Sequence, residues 1–266
     1  MIITDFNNWL GYKFGNKLLG LNNLIQISKY YNQDYWFTPF NGLELFDIVT
    51  NTKSYNNQPY EIININNLIN NKESIIFDND KVYYLEPCLV ELFHKFNDIS
   101  TFDIFKLKEP IINDKKIVGI HYRGTDFKLW DEKSILPYEY YKNSIDFVLN
   151  DIKEDFKFIL FSDDYSLDSF NKSVDYLKSL NVNYEFGHLN NFSLDFKSLA
   201  YCDYIISTPS TFCITASICG LKNKKIIHNK EWILDYKLKS DYFRDIFWKN
   251  LLEPEKTNDY VLYKLI

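Results

Sequence analysis

Ile117-Val118-Gly119-Ile120-His121-Tyr122-Arg123-Gly124-Thr125-Asp126 is a short apolar, β-like run with a polar exit. Arg123 and Arg244 are the only arginines among the thirty Lys and Arg residues. In a chain that uses lysine almost everywhere, a guanidinium at a strand exit suggests a fixed, bidentate grip on phosphate or carboxylate that Lys cannot copy. A nucleoside diphosphate suits such a grip. The plainer alternative is an ion pair of Arg123 with Asp126 or Glu132.

From residue 115 onward, similar apolar runs alternate with helical patterns. Residues 117–121, 158–161, 182–186, 204–207 and 225–228 read as strands. Residues 138–152, 166–180, 193–201 and 211–219 carry apolar side chains at three-to-four spacing and read as helices. A repeated βα unit predicts a parallel, doubly wound sheet. Ligands bind such sheets beyond the carboxyl ends of the strands. His121–Asp126, Asp163-Asp164 and Ser207–Thr211 all fall there, so three candidate motifs share one rim. The first hundred residues are less regular, with a helix expected over 17–31, a strand over 35–38 and an Asn-rich, loop-like stretch over 51–71. Residues 106–116, which include Pro110, are the expected crossing between two domains, 1–114 and 115–266.

With 266 residues, 46% of them apolar and 18% aromatic, the chain can build one large domain or two compact ones. A net charge of −6 and a pI near 5.3 argue against a nucleic-acid surface. Met1–Asn8 has no basic segment leading into an apolar one. No run reaches the roughly 18 apolar residues that a membrane span needs. A soluble, cytoplasmic protein is expected. Cys88, Cys202, Cys213 and Cys219 form no CxxC pair, so neither disulfides nor a zinc site is expected.

Each candidate site residue has a functional and a plain structural reading. His121 either bonds a ligand or sits satisfied at the sheet rim. Ser210 and Thr211 stand before a helix, where hydroxyls and free amides suit phosphate oxygens and equally suit N-capping. Asp163 and Asp164 read more readily as caps of the next helix than as ligand contacts. Asp126, Asp131 and Glu132 are candidate bases on one loop, or simply a solvated acidic loop. Gly15-Asn16 precedes a helix and offers amides to an anion, or makes a plain turn. Asp78-Asn79-Asp80 formally matches a metal-binding DxD, but between two apolar runs it reads as a hairpin turn, and no metal site is assigned. Trp9, Trp36, Trp130, Tyr138 and Tyr140 are possible floors for a sugar, although most of the Phe and Tyr residues must be core.

Four segments together carry a resemblance. His121-Tyr-Arg-Gly-Thr-Asp126 resembles the HxRxxD motif of the fucosyltransferase superfamily, which holds α-1,2-, α-1,6- and protein O-fucosyltransferases. Phe161-Ser-Asp-Asp164 is similar to the strand-ending SDD or TDD of that family. The segment from Asp195 to Phe212 resembles its last motif, and Gly11-Tyr-Lys-Phe-Gly-Asn16 its glycine-rich opening, with Lys17 where Gln is usual. Order and spacing agree over residues 11–232. Two positions depart from the pattern: many α-1,2 enzymes have a second arginine where Gly124 stands, and a Trp pair where Ile214-Thr215 stands.

The resemblance implies an α/β fold of the GT-B type, with two Rossmann-like domains. It also implies an inverting, metal-independent transferase that moves fucose from GDP-fucose to a glycan acceptor and needs no cofactor. Domain 1–114 would take the acceptor and domain 115–266 the nucleotide sugar. On that pattern Arg123 stabilises the departing diphosphate, while Gly15, Asn16, His121, Ser210 and Thr211 contact the donor. Asp195 receives the N1 and N2 donors of guanine. The spacing from His121 to Pro137 matches the α-1,6 branch and puts the base on Asp131. The alternatives are a transferase for another GDP-deoxysugar, a DxD metal enzyme, or a non-catalytic nucleotide- or glycan-binding module.

Overall fold

The structure is a computed structural model of the 266-residue chain. It describes residues 1–8, 13–48, 53–63, 76–86, 105–130, 135–188, 191–220, 224–229 and 261–265. The chain divides into two compact units, the first running to Lys108 and the second starting at Glu109.

In the first unit, strands β1 (Ile2–Thr4), β2 (Tyr35–Phe37), β3 (Tyr60–Ile63) and β4 (Val82–Leu85) form a sheet in the order β2-β1-β4-β3. Every pair in it is parallel. Helix α1 (Phe14–Tyr30) connects β1 to β2 and packs against both. It is buried almost all round from Leu18 to Ser28, as befits a helix inside a core and not on a surface. Phe14, at its start, interlocks with Phe40 and Phe46, and these with Phe6 and Phe105, with Phe6 and Phe40 edge to face at 4.9 Å.

Two expectations fail here. Tyr60–Ile63 is a strand within the stretch read as a loop, because Tyr-Glu-Ile-Ile suits pairing with Val82–Leu85 despite its Asn-rich flanks. Asp78–Asp80 is a turn, with the Asp80 amide donating to Asp78 Oδ1 at 3.0 Å, but not a hairpin turn. The neighbours of β4 are β1 and β3, and both run parallel to it.

The second unit follows the βα alternation. Strands β5 (Lys116–Tyr122), β6 (Phe156–Ser162), β7 (Tyr184–Phe186), β8 (Tyr204–Ile206), β9 (Lys224–His228) and β10 (Val261–Leu265) form one sheet. Its order is β7-β6-β5-β8-β9-β10, parallel throughout. Counted along the chain this is 3-2-1-4-5-6, the doubly wound order whose direction reverses between the first and fourth strands. Between the strands lie helices α2 (Phe127–Trp130), α3 (Tyr138–Asp151), α4 (Asp168–Ser179), α5 (Phe192–Ala200) and α6 (Thr211–Ile218). Five strands were expected, and β10 is a sixth. From Ile117 to Tyr122 every residue of β5 is buried, the continuous pattern of a parallel strand covered on both faces. Tyr140 on α3 fastens that cover, its hydroxyl lying 2.7 Å from the Ser207 carbonyl and 2.8 Å from that of Ile227.

Lys224 opens β9 from inside the core. Only 1% of it is exposed, and its ammonium donates to the carbonyls of Ala200 at 2.6 Å, Cys219 at 2.8 Å and Ala216 at 3.3 Å. These carbonyls end α5 and α6. Burial pulls the pKa of Lys224 down to about 8. Cys202, Cys213 and Cys219 are buried free thiols, and burial pushes Cys213 and Cys219 up to about 12. Among the described residues no helix is long and apolar enough to cross a membrane.

Candidate active site

The rim of the second sheet opens where its order reverses, between β5 and β8. His121, near the end of β5, shares a 2.6 Å hydrogen bond through Nδ1 with Thr208 Oγ1, just past β8. One bond thus bridges the two strands at the place where doubly wound sheets take ligands. The imidazole stacks on Phe212 of α6, centroids 5.6 Å apart, and Phe212 meets Phe196 of α5 edge to face at 5.3 Å. Burial, helped by the Arg123 charge, lowers the His121 pKa to about 3, so the ring is neutral at pH 7.

Arg123 leaves the strand two residues later, with 16% of its side chain exposed. Its Nη2 pairs with Asp126 Oδ1 at 2.7 Å and its Nη1 with Asp163 Oδ2 at 2.6 Å. The guanidinium lies over the Phe127 ring, 5.4 Å from Cζ to centroid. Nε is buried and has no hydrogen-bond partner among the described residues. The ion pair with Asp126 that the plain reading foresaw does form. The arginine side of it is largely buried, while 47% of the Asp126 side chain is exposed, and the Nε–H of the fork is left unspent.

Asp163 organises this turn, a role the sequence reading missed. Its Oδ1 accepts from the Gly124 amide at 2.8 Å and its Oδ2 from Thr125 Oγ1 at 2.7 Å, in addition to Arg123. The expectation that Asp163 and Asp164 cap the next helix is not met. Leu167 stands at the start of α4, with no side-chain cap. Asp164 instead accepts from the Ser166 amide at 2.9 Å and from Lys128 Nζ at 2.5 Å. The Lys128 bond, with those of Ser166, holds its pKa down to about 2. Gly124 lets the β5 and β6 loops touch, because a Cβ there would lie 2.7 Å from Asp164 Cβ.

Asp195 sits in the first turn of α5, as expected, and 13% of its side chain is exposed. Oδ1 accepts from the His188 amide at 2.6 Å, and burial raises its pKa. Gly187 permits this approach, since a Cβ there would come within 2.7 Å of Oδ1. Ser210 occupies the N-cap position of α6 but makes no side-chain cap bond, and Thr211 opens the helix. The Tyr165 hydroxyl, within the fields of Asp195 and Asp163, is buried without a partner among the described residues. No sequence signal singles Tyr165 out among the many aromatics.

The second unit therefore gathers His121, Arg123, Asp195, Ser210 and Thr211 along one rim. Gly15 and Asn16 belong to the first unit and form the first turn of α1, where amides lack intrahelical acceptors. The expected α1 start at Lys17 is one turn late. Asp131, Glu132, Trp9 and the opening Gly11-Tyr12 lie outside the described residues. Among the described residues no group of three or more His, Cys, Asp or Glu is placed to hold a metal ion.

No protein-family profile and no curated protein sequence matches the chain. Solved structures do. POFUT1 in complex with GDP aligns at a TM-score of 0.56 and 11% identity, over 82% of this chain and 93% of that one. The chain has the fold of POFUT1. A second POFUT1 structure, in complex with GDP-fucose, aligns at a TM-score of 0.55 and 10% identity, over 82% and 92% of the two chains. The fold class is α/β of the GT-B type, with two parallel sheets in two Rossmann-like units. The POFUT1 likeness is one of fold; the site residues above are this chain's own.

Acid stability follows from the two buried imidazoles. His228, hydrogen-bonded to Ser207 Oγ, also has its pKa lowered to about 3, by burial alone. The native values lie below the unfolded one near 6.5, so the unfolded chain binds more protons between about pH 3 and 6.5. Stability is complete above that window and is lost as pH falls through it. Urea midpoints are expected to decline from pH 6.5 to 4.5, before most carboxylates titrate. A flat midpoint over that range would contradict the burial of both rings.

Proposed function

We propose that the chain is a fucosyltransferase, inverting and metal-independent, that moves fucose from GDP-fucose to a glycan acceptor. One observation carries the reading: the HxRxxD, SDD and Ser/Thr-rich segments meet at the reversal point of a sheet whose fold is seen in POFUT1 with GDP and GDP-fucose. In this reading residues 115–266 hold the nucleotide sugar and residues 1–114 face the acceptor. Arg123 binds the diphosphate and stabilises the charge that develops as it departs. His121, Ser210, Thr211 and the N-terminal amides of α6 receive donor oxygens, and Gly15 and Asn16 offer amides to the same ligand class. Asp195 accepts from the guanine edge with the oxygen that His188 leaves open. Asp131 takes the proton of the acceptor hydroxyl, a role that rests on the resemblance of the His121 to Pro137 segment to the α-1,6 branch.

A GDP-release screen over GDP-sugars, with and without EDTA, tests the whole reading. Release from GDP-fucose in the presence of EDTA is expected. Release from another GDP-deoxysugar alone would reassign the donor, and GDP binding without release from any donor and acceptor would make the chain a binding module. Asp195→Asn is expected to weaken GDP binding by about 1.5–3 kcal/mol, the worth of a hydrogen bond to a charged group. The amide oxygen can still accept from the His188 amide, so the local fold should survive. Unchanged affinity in calorimetry would remove Asp195 from the site.

A further inference from the structure

We infer that Phe127 is a positioning residue for Arg123: the guanidinium lies over its ring, which displaces water from that side of the cation and helps keep the unspent Nε–H for an anion. The inference rests on the donor-binding role proposed for Arg123. Three groups flank the guanidinium. Asp126 and Asp163 hold the two Nη atoms at 2.7 and 2.6 Å, and the Phe127 ring lies 5.4 Å from Cζ. Nε is buried and without an acceptor among the described residues. Buried N–H groups without partners are rare, and a ligand oxygen is one way to complete them.

The ring is held in place by its own short helix. The Lys128 amide donates to the Gly124 carbonyl and the Leu129 amide to the Asp126 carbonyl, both at 3.1 Å, and Lys128 is tied to Asp164. Within that helix Phe127 and Leu129 behave oppositely. Leu129 is 91% exposed, whereas Phe127 turns onto the arginine. An aromatic face attracts the cation and replaces water beside it, which strengthens whatever interaction the guanidinium then makes with an anion.

The arginine content of the chain makes the test direct. With only Arg123 and Arg244 present, [15N]arginine labelling gives two Nε–Hε signals, and Arg244→Lys assigns them. Phe127→Leu is expected to speed exchange of the Arg123 Hε with water by about tenfold. It is also expected to lower kcat with GDP-fucose by about 3- to 30-fold, and Phe127→Tyr, which keeps an aromatic face, is expected to restore both. If Phe127→Leu matches the wild type in exchange and in kcat, or if exchange changes while kcat does not, the inference is overturned. If the wild type releases no GDP from any donor, the proposed function falls, and unchanged exchange in Phe127→Leu would then dismiss the covering role separately.

Discussion

Arg123→Lys is expected to lower turnover by about 10²–10³-fold, the usual cost of losing one preorganised donor to developing charge. The geometry explains why keeping the positive charge is not enough. The guanidinium holds Asp126 on one nitrogen and Asp163 on another, and still has Nε–H in hand. A lysine ammonium has three donors on a single atom, with no planar fork to span two carboxylates and aim a further bond elsewhere. It would settle on one carboxylate and leave the other to repel the diphosphate. GDP affinity should fall less than kcat if the lost interaction belongs mainly to the transition state. Near-normal kcat in this variant would end the diphosphate role.

Lys224→Met is expected to destabilise the second unit by about 2–4 kcal/mol, because three buried carbonyls lose their donor. Met nearly matches the length of the lysine stem, so the loss is polar and leaves little cavity. The carbonyls end the two helices that carry Asp195 at one N-terminal turn and Ser210-Thr211 at the other. A cation at two helix C-termini also complements both dipoles. Urea unfolding should show a lower midpoint at an unchanged m value. An unshifted midpoint would mean that those carbonyls find other donors at no cost.

The second unit was readable because each of its first five strands is an apolar run set off by a helix of clear periodicity. Val261–Leu265 escaped notice because Lys264 interrupts the run. In the first unit, Ile2–Thr4 is too short to show a period. The turn at Asp78 was read correctly, but its strand pairs with residues about eighty positions away, which no local signal reports. The site divides in the same manner. His121 and Arg123 stand out by residue type at a strand exit. Asp163 does not, since an acid at a strand end reads equally as a helix cap, and only the packing of the β5 and β6 loops assigns it to Arg123. Phe127 is one of many aromatics until the guanidinium is seen over its ring.

Gly124 limits how this rim can change over time. The α-1,2 enzymes that the motif resembles often carry a second arginine at that position, yet here any side chain would strike Asp164, whose Cβ and Oδ2 lie 2.7 and 3.0 Å from the place a Cβ would take. Admitting arginine means moving Asp164, which in turn frees Lys128 and Ser166. A drift toward the two-arginine pattern is therefore not one substitution away. It passes through intermediates in which the neighbouring loop has already let go, and the single-arginine rim is fenced in by its neighbour.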